Sequence, residues 1–185
     1  FLGNSDQAMP SGLLSLASTS NALTDGVLMA INWDNNNRII QVTPNGANFD
    51  LTAYEAQNVV INTVSYAMGA IAVDSVEVGY VFLPFSTPGI IAGHIAADGT
   101  ELAGAGDFSV ATGTDATYGF PILELTIPGV NASTDGVLLL NASSGPYAMA
   151  WEPGENGEFE IAGLELLSGQ PGACAFSFAY IPYSG

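Results

Sequence analysis

Asn21–Met29 reads NALTDGVLM and Asn131–Leu139 reads NASTDGVLL. Seven of the nine positions are identical. The match continues outward. Asn45-Gly46 through Leu51 resembles Asn156-Gly157 through Ile161, and Phe49 and Phe159 keep the same offset of 110. Tyr80–Ser86 (YVFLPFS) resembles Phe178–Ser184 (FAYIPYS) at an offset of 98, so the first copy carries 12 more residues between Leu51 and Tyr80. Each copy has a TDGV strand, a Trp (Trp33 or Trp151), an NG turn, a Phe-acid-aliphatic strand and a closing strand with Pro between aromatics. Landmarks in the same order mark an internal duplication.

The surrounding pattern is β. Short runs rich in Val, Ile, Phe and Tyr are bounded by Gly, Pro, Asn and Asp. Val27–Trp33 and Arg38–Thr43 flank a polar turn. Asn58–Met68 has the length of one bent strand, and Ser75–Leu83 alternates. Ala103–Gly106 (AGAG) reads as a turn. Leu13–Leu23 and Leu51–Gln57 invite a helix, without sustained helical periodicity. The expected fold is all-β: two related β-sandwich or jelly-roll-like modules, possibly sharing one core. The expected organisation is a leader or donated strand at 1–20, a first module at 21–87, and a second at 88–185 with its own preceding strand block. The first copy lacks that block. Either it was lost, or the leader replaces it.

A sheet missing strands leaves unpaired backbone groups at an edge. The leader, with Gly12, Leu13, Leu14 and Leu16 as its apolar run, can cover the edge within the chain. It can also be donated to another copy, and head-to-tail donation makes a filament.

Charge narrows the function. There are 18 acids against one base, Arg38, for a formal charge of −17. Without a basic patch, binding to nucleic-acid phosphates is not expected, and anionic membranes repel the chain. No apolar run is long enough to cross a bilayer as a helix, so no membrane insertion is expected. A chain nearly free of Lys and Arg also offers few sites to proteases that cut after cations, which suits an extracellular setting. Cys174 is the sole cysteine, excluding an internal disulfide and a thiolate metal cluster. It reads as a small buried hydrophobe.

No catalytic grouping is expected. His94 is the only histidine and reads as a strand residue with satisfied bonds. There is no GxSxG, HExxH or phosphate-cradling loop. The densest acidic stretch, Trp151–Glu160, reads first as a solvated loop. Together with Asp34–Asn37 it offers hard oxygen ligands, so calcium is the one cofactor entertained, at Asp34, Asn36, Glu152 and Glu155. Trp151 and Tyr183 are candidate glycan contacts. Asn131-Ala-Ser133 and Asn141-Ala-Ser143 fit the N-glycosylation pattern, with a turn role preferred for Asn131.

Phe85–Thr100 (FSTPGIIAGHIAADGT), Gly106–Val110 and Leu125–Gly129 resemble repeat modules of large secreted bacterial surface and adhesin-like proteins, and are similar to phage fibre β domains. The resemblance covers roughly residues 76–140. It implies an exported β-rich structural or adhesive role and carries no catalytic residues. The leading expectation is therefore a non-enzymatic structural protein that self-assembles into a filament, fibre or surface layer. Alternatives are a carbohydrate-binding or adhesin module, and a virion capsid or fibre protein.

Overall fold

A computed structural model describes residues 2–5, 12–15, 21–32, 38–61, 64–72 and 78–183; at 2–5, 12–15, 56–61 and 64–72 it describes backbone pairing alone. The protein is all-β and sandwich-like, built from antiparallel pairs. The first half contains β1 (Leu2–Ser5), β2 (Gly12–Ser15), one helical turn α1 (Ala22–Asp25), β3 (Gly26–Asn32), β4 (Arg38–Asn45), β5 (Asn48–Ile61), β6 (Val64–Ala72) and β7 (Val78–Pro84). The second contains β8 (Ile91–Ile95), β9 (Glu101–Ala105), β10 (Ser109–Thr114), β11 (Pro121–Thr126), β12 (Gly136–Ala142), β13 (Tyr147–Pro153), β14 (Phe159–Glu165), β15 (Pro171–Gly172) and β16 (Phe176–Pro182).

These strands form four sheets: β1-β7-β3, β2-β5-β4 with β6 on β5, β12-β16-β8-β9, and β10-β11-β14-β13 with β15 on β14. Alternation along the strands decides how the sheets stack. On β3, Leu28 and Ala30 join Ile40, Val42, Phe49 and Ala53 in one core, while Val27 and Met29 turn to the opposite face. There they meet Ala92 and Ala179 of the second half. On β16, Phe176, Phe178 and Tyr180 enter a third core with Leu123, Leu125, Phe159 and Ile161. Three cores thus separate four layers. The strands β3 and β16, with apolar residues on both faces, lie in the middle two layers.

The duplication appears in the registers. Gly26 pairs with Pro84, and Gly136 with Pro182. Pro44 faces Phe49, and Pro153 faces Phe159. The Trp landmarks are not equivalent: Trp151 lies on β13 opposite Ile161, the place Val42 holds opposite Leu51. Trp33 lies outside the described residues.

The repeated stretch opens with a closed turn in which the conserved Asn, Ala, Thr, Asp and Gly each have a task. In both copies the Asn N–H donates to the Asp carboxylate at 2.8 Å (Asn21 to Asp25, Asn131 to Asp135). The Asn Oδ1 accepts from the N–H two residues on, Leu23 at 3.0 Å and Ser133 at 2.9 Å. The Thr24 and Thr134 hydroxyls donate to the same Asp side chains. Ala22 and Ala132 are buried, and their N–H groups donate to Gly46 and Gly157 of the NG turns. The Asp carbonyls accept from Phe85 and Tyr183, tying each turn to its closing strand. Gly26 and Gly136 sit against the neighbouring strand, where a Cβ would lie 2.8 Å from the Phe82 ring or 2.6 Å from the Tyr180 ring. Short polar side chains that bond their own backbone favour such turns.

The described residues of the leader pair within the chain. Leu14 of β2 faces Phe49 as Leu125 of β11 faces Phe159, and Gly3 of β1 faces Tyr80 as Gly93 of β8 faces Phe178. β1 and β2 therefore occupy the places of β8 and β11. Counterparts of β9 and β10 do not occur among the described residues of the first half.

Three local readings change. Ala103–Gly106 is not simply a turn: Glu101–Ala105 is β9, where small residues allow close pairing with β8. Of Leu13–Leu23, the described residues 13–15 belong to strand β2 and 22–23 to the turn α1, and Leu51–Gln57 is strand rather than helix. Asn58–Met68 is no single strand, because the chain reverses between Ile61 and Val64, which pair with each other. β5 is 14 residues long against 7 for its counterpart β14. Its pairing with β4 ends at Arg38–Glu55, where the sole arginine reaches Glu55 at 3.5 Å. Beyond that rung β5 and β6 continue as a two-stranded ribbon, with a register shift between Ala56 and Asn58. In the second half the equivalent connection is the short turn Leu166–Gln170, closed by Glu165 N–H to Gln170 O.

Candidate functional site

The duplication locates the part of the molecule that differs most in chemistry between its halves. In the second half Glu160 of β14 lies between Glu152 of β13 and Glu124 of β11, a row of like charges across three strands. In the first half the equivalent row is Thr43, Asp50 and Leu13, with a single acid. Like charges placed directly opposite destabilise a sheet. Phe159 and Ile161 point into the core, so Glu160 faces outward.

The segment after β10 folds over that outward face. Asp115 N–H donates to Phe120 O, and Asp115 Oδ1 accepts from the N–H groups of Thr117 and Tyr118. This turn buries Asp115 and Ile122. It brings Asp115 to Glu152 and Glu160, with one ligand oxygen of each within 4.8 Å of the others. The three carboxylates share a cavity of about 210 Å³ with Phe120, Ile122, Ala150, Trp151 and Ala162. Tyr118, 80% exposed, stacks on Phe120 with centroids 6.3 Å apart and planes inclined by 10°. Partial burial and the neighbouring charges of Glu152, Glu158, Glu124 and Asp115 raise the Glu160 carboxyl above its ordinary range. An array of this kind takes up a proton or a hard cation. Phe120 and Trp151 are the aromatic residues of the cavity's lining.

Glu152 is thus the one proposed calcium ligand that enters this cluster. Glu155 lies exposed in the β13–β14 connection, and Asp34 and Asn36 lie outside the described residues. Glu160 belongs to the acidic stretch Trp151–Glu160 that the sequence offers for calcium, but Asp115 lies far from it along the chain, and only the β13–β14 hairpin and the 115–120 turn bring the three together. The signal available in the sequence was the contrast between Asp50 and the acids around Glu160 in aligned copies.

Trp151 lines the cavity, but its indole is engaged with the core. Nε1 donates to Leu138 O at 2.9 Å, and the ring meets Phe159 edge-on at 5.0 Å. Tyr183 is 59% exposed on the segment after β16, away from the acidic cavity's lining. Gly12, Leu13 and Leu14 lie on β2, paired to β5 of the same chain, and Leu16 lies outside the described residues.

His94 bridges the two halves. It is buried on β8, with Nδ1 at 2.7 Å from Ser177 Oγ and Nε2 at 2.9 Å from Gly26 O. A carbonyl only accepts, so Nε2 carries the proton and Nδ1 accepts from the serine hydroxyl in the neutral ring. Burial lowers its pKa, against the opposing pull of backbone bonds to Gly26 and Ala22. Asn141 bridges them as well. Its Oδ1 accepts from Ala30 N–H at 2.8 Å, and its Nδ2 donates to Ala30 O at 2.9 Å and Ile40 O at 3.2 Å. Cys174 is buried with its Sγ 3.2 Å from Met149 Sδ, and burial pushes the thiol up to about 12. No family model matches the chain, and no curated protein or solved structure matches it significantly.

Proposed function

We propose that the protein is a non-enzymatic, exported structural subunit that assembles with copies of itself into an extracellular filament, fibre or surface layer. One observation carries this reading: the ribbon formed by β5 and β6 continues past the last described rung of β4. An isolated two-stranded ribbon is marginally stable in water. Edge strands are normally guarded by charges, by Pro or by short length. Here residues 56–72 contain no charged residue and no Pro, in a chain of formal charge −17. Val59, Val60, Ile61, Val64 and Ile71 give the ribbon high β-propensity as well. Such a ribbon is suited to burial against another surface. Its partner in this reading is a second copy.

Negative-stain electron microscopy of the purified protein, with and without millimolar calcium, tests this. Regular filaments or sheets are expected. Monodisperse particles under both conditions would refute it.

A second reading is a carbohydrate-binding or adhesin module, favoured by exposed Tyr118 stacked on Phe120 beside three carboxylates. Glycan-array binding that Tyr118→Ala abolishes would establish it, and an array without signal would remove it.

A further inference from the structure

We infer that the β5–β6 ribbon of one copy adds to the outer edge of β2 in the next copy, in the place that β10 occupies beside β11 in the second half. This rests on the self-assembly reading. Superimposing the halves by register defines the open edge. β11 is paired on both sides, by β14 and by β10. Its counterpart β2 is paired by β5 alone among the described residues. The half in which no counterpart of β10 occurs among the described residues carries a ribbon where the other half has the short turn Leu166–Gln170. An edge left open among the described strands and a surplus hairpin in one module are complementary in kind, and strand addition satisfies the backbone groups of both.

Length and charge agree. β10 pairs with β11 over Ser109–Thr114, and the ribbon arms Ala56–Ile61 and Val64–Ala70 are of matching length. Copies of charge −17 repel one another, so contact is favoured through uncharged segments. Residues 56–72 hold no charge, and residues 1–20 hold only Asp6 among acids and no base.

The acceptor lies in another molecule. β2 pairs with β5 at Asn48–Leu51, whereas the ribbon begins beyond Glu55 on the same continuous strand. At roughly 3.3 Å per residue, β5 itself holds the ribbon arms more than about 15 Å from its own β2 edge. The register shift at Ala56/Asn58 is the kind of irregularity that bends a ribbon out of its sheet. Donor and acceptor are different surfaces, so the contact is head-to-tail and propagates.

The test compares the wild type with a chain in which Ala56–Ile71 is replaced by the turn Leu166–Gln170 of the second half. Light scattering is expected to show polymers for the wild type, whose chain is 19.0 kDa, and a monomer for the variant, which is 11 residues shorter, with cooperative unfolding retained. A second measurement does not depend on removing the ribbon. Ser15→Cys on β2 and Ser65→Cys on β6 are mixed under oxidising conditions, where the buried Cys174 does not compete. Cross-links between positions 15 and 65 are expected. Cross-links between 65 and 65 alone would mean ribbon-to-ribbon dimers and overturn the inference, as would unchanged polymers from the replaced chain. A wild type that stays monomeric refutes the self-assembly reading itself.

Discussion

Replacing Asn141 with Ala should loosen the junction between the two halves more than any other single truncation of a polar side chain there. The carboxamide is 7% exposed and makes three bonds, to Ala30 N–H, Ala30 O and Ile40 O. It stands in for a peptide unit along the outer edge of β3. Alanine leaves one buried donor and two buried acceptors without these partners. An unsatisfied buried group costs about 1–3 kcal/mol, with carbonyls toward the low end. The expected loss is therefore about 3–5 kcal/mol, or roughly 6–20 °C in Tm for a chain of this size. Urea unfolding at neutral pH, followed by tryptophan fluorescence, measures it. Asn141→Asp should be no milder, because it keeps the acceptor for Ala30 N–H but sets a carboxylate against two carbonyls. A change below about 0.5 kcal/mol for both variants would refute the reasoning, since it would mean water replaces the carboxamide freely.

Three further outcomes follow from the geometry. Gly136→Ala should destabilise by about 1–3 kcal/mol or more, because the new Cβ meets the Ile181 carbonyl and the Tyr180 ring. Gly129→Ala, with φ +75° and open space around it, should cost only about 1 kcal/mol; equal Tm losses would contradict the packing argument. The His94 pKa is lowered below 6.5 in the fold, so its contribution is complete above pH 6.5 and is lost as pH falls toward the native pKa. His94→Gln should flatten that part of the stability–pH curve, and an unchanged slope would count against it. Glu160 is shifted the other way, above 4.5, so stability falls as pH rises from 4.5 through its native pKa. Glu160→Gln should accordingly raise Tm at pH 7 and leave it little changed near pH 4. If calcium sits among Asp115, Glu152 and Glu160, it should stabilise the wild type more than this variant.

Much of the fold was legible in the chain itself. The turn NAxTDG bonds its own backbone, so its letters recur wherever the turn recurs, and the duplication could be read without coordinates. Alternating apolar residues over Ser75–Leu83 announced β7 for a similarly local reason. Other features depend on partners distant in sequence. The ribbon at 56–72 reads as one strand until Ile61 is seen facing Val64. Ala103–Gly106 has no β-branched residue to mark a strand, and β9 exists because β8 lies beside it. Asn141 fits a glycosylation triplet in the sequence, yet it is buried as the clasp between halves, because β12 crosses the free edge of β3. The acids Asp115, Glu152 and Glu160 form a cluster only once β13, β14 and the 115–120 turn are brought together. Turn chemistry and periodicity are properties of neighbours along the chain, and the sequence alone determined them here. Sheet order, the four-layer stack and the acidic cavity were decided by tertiary structure, because each is set by which surfaces find one another to exclude water.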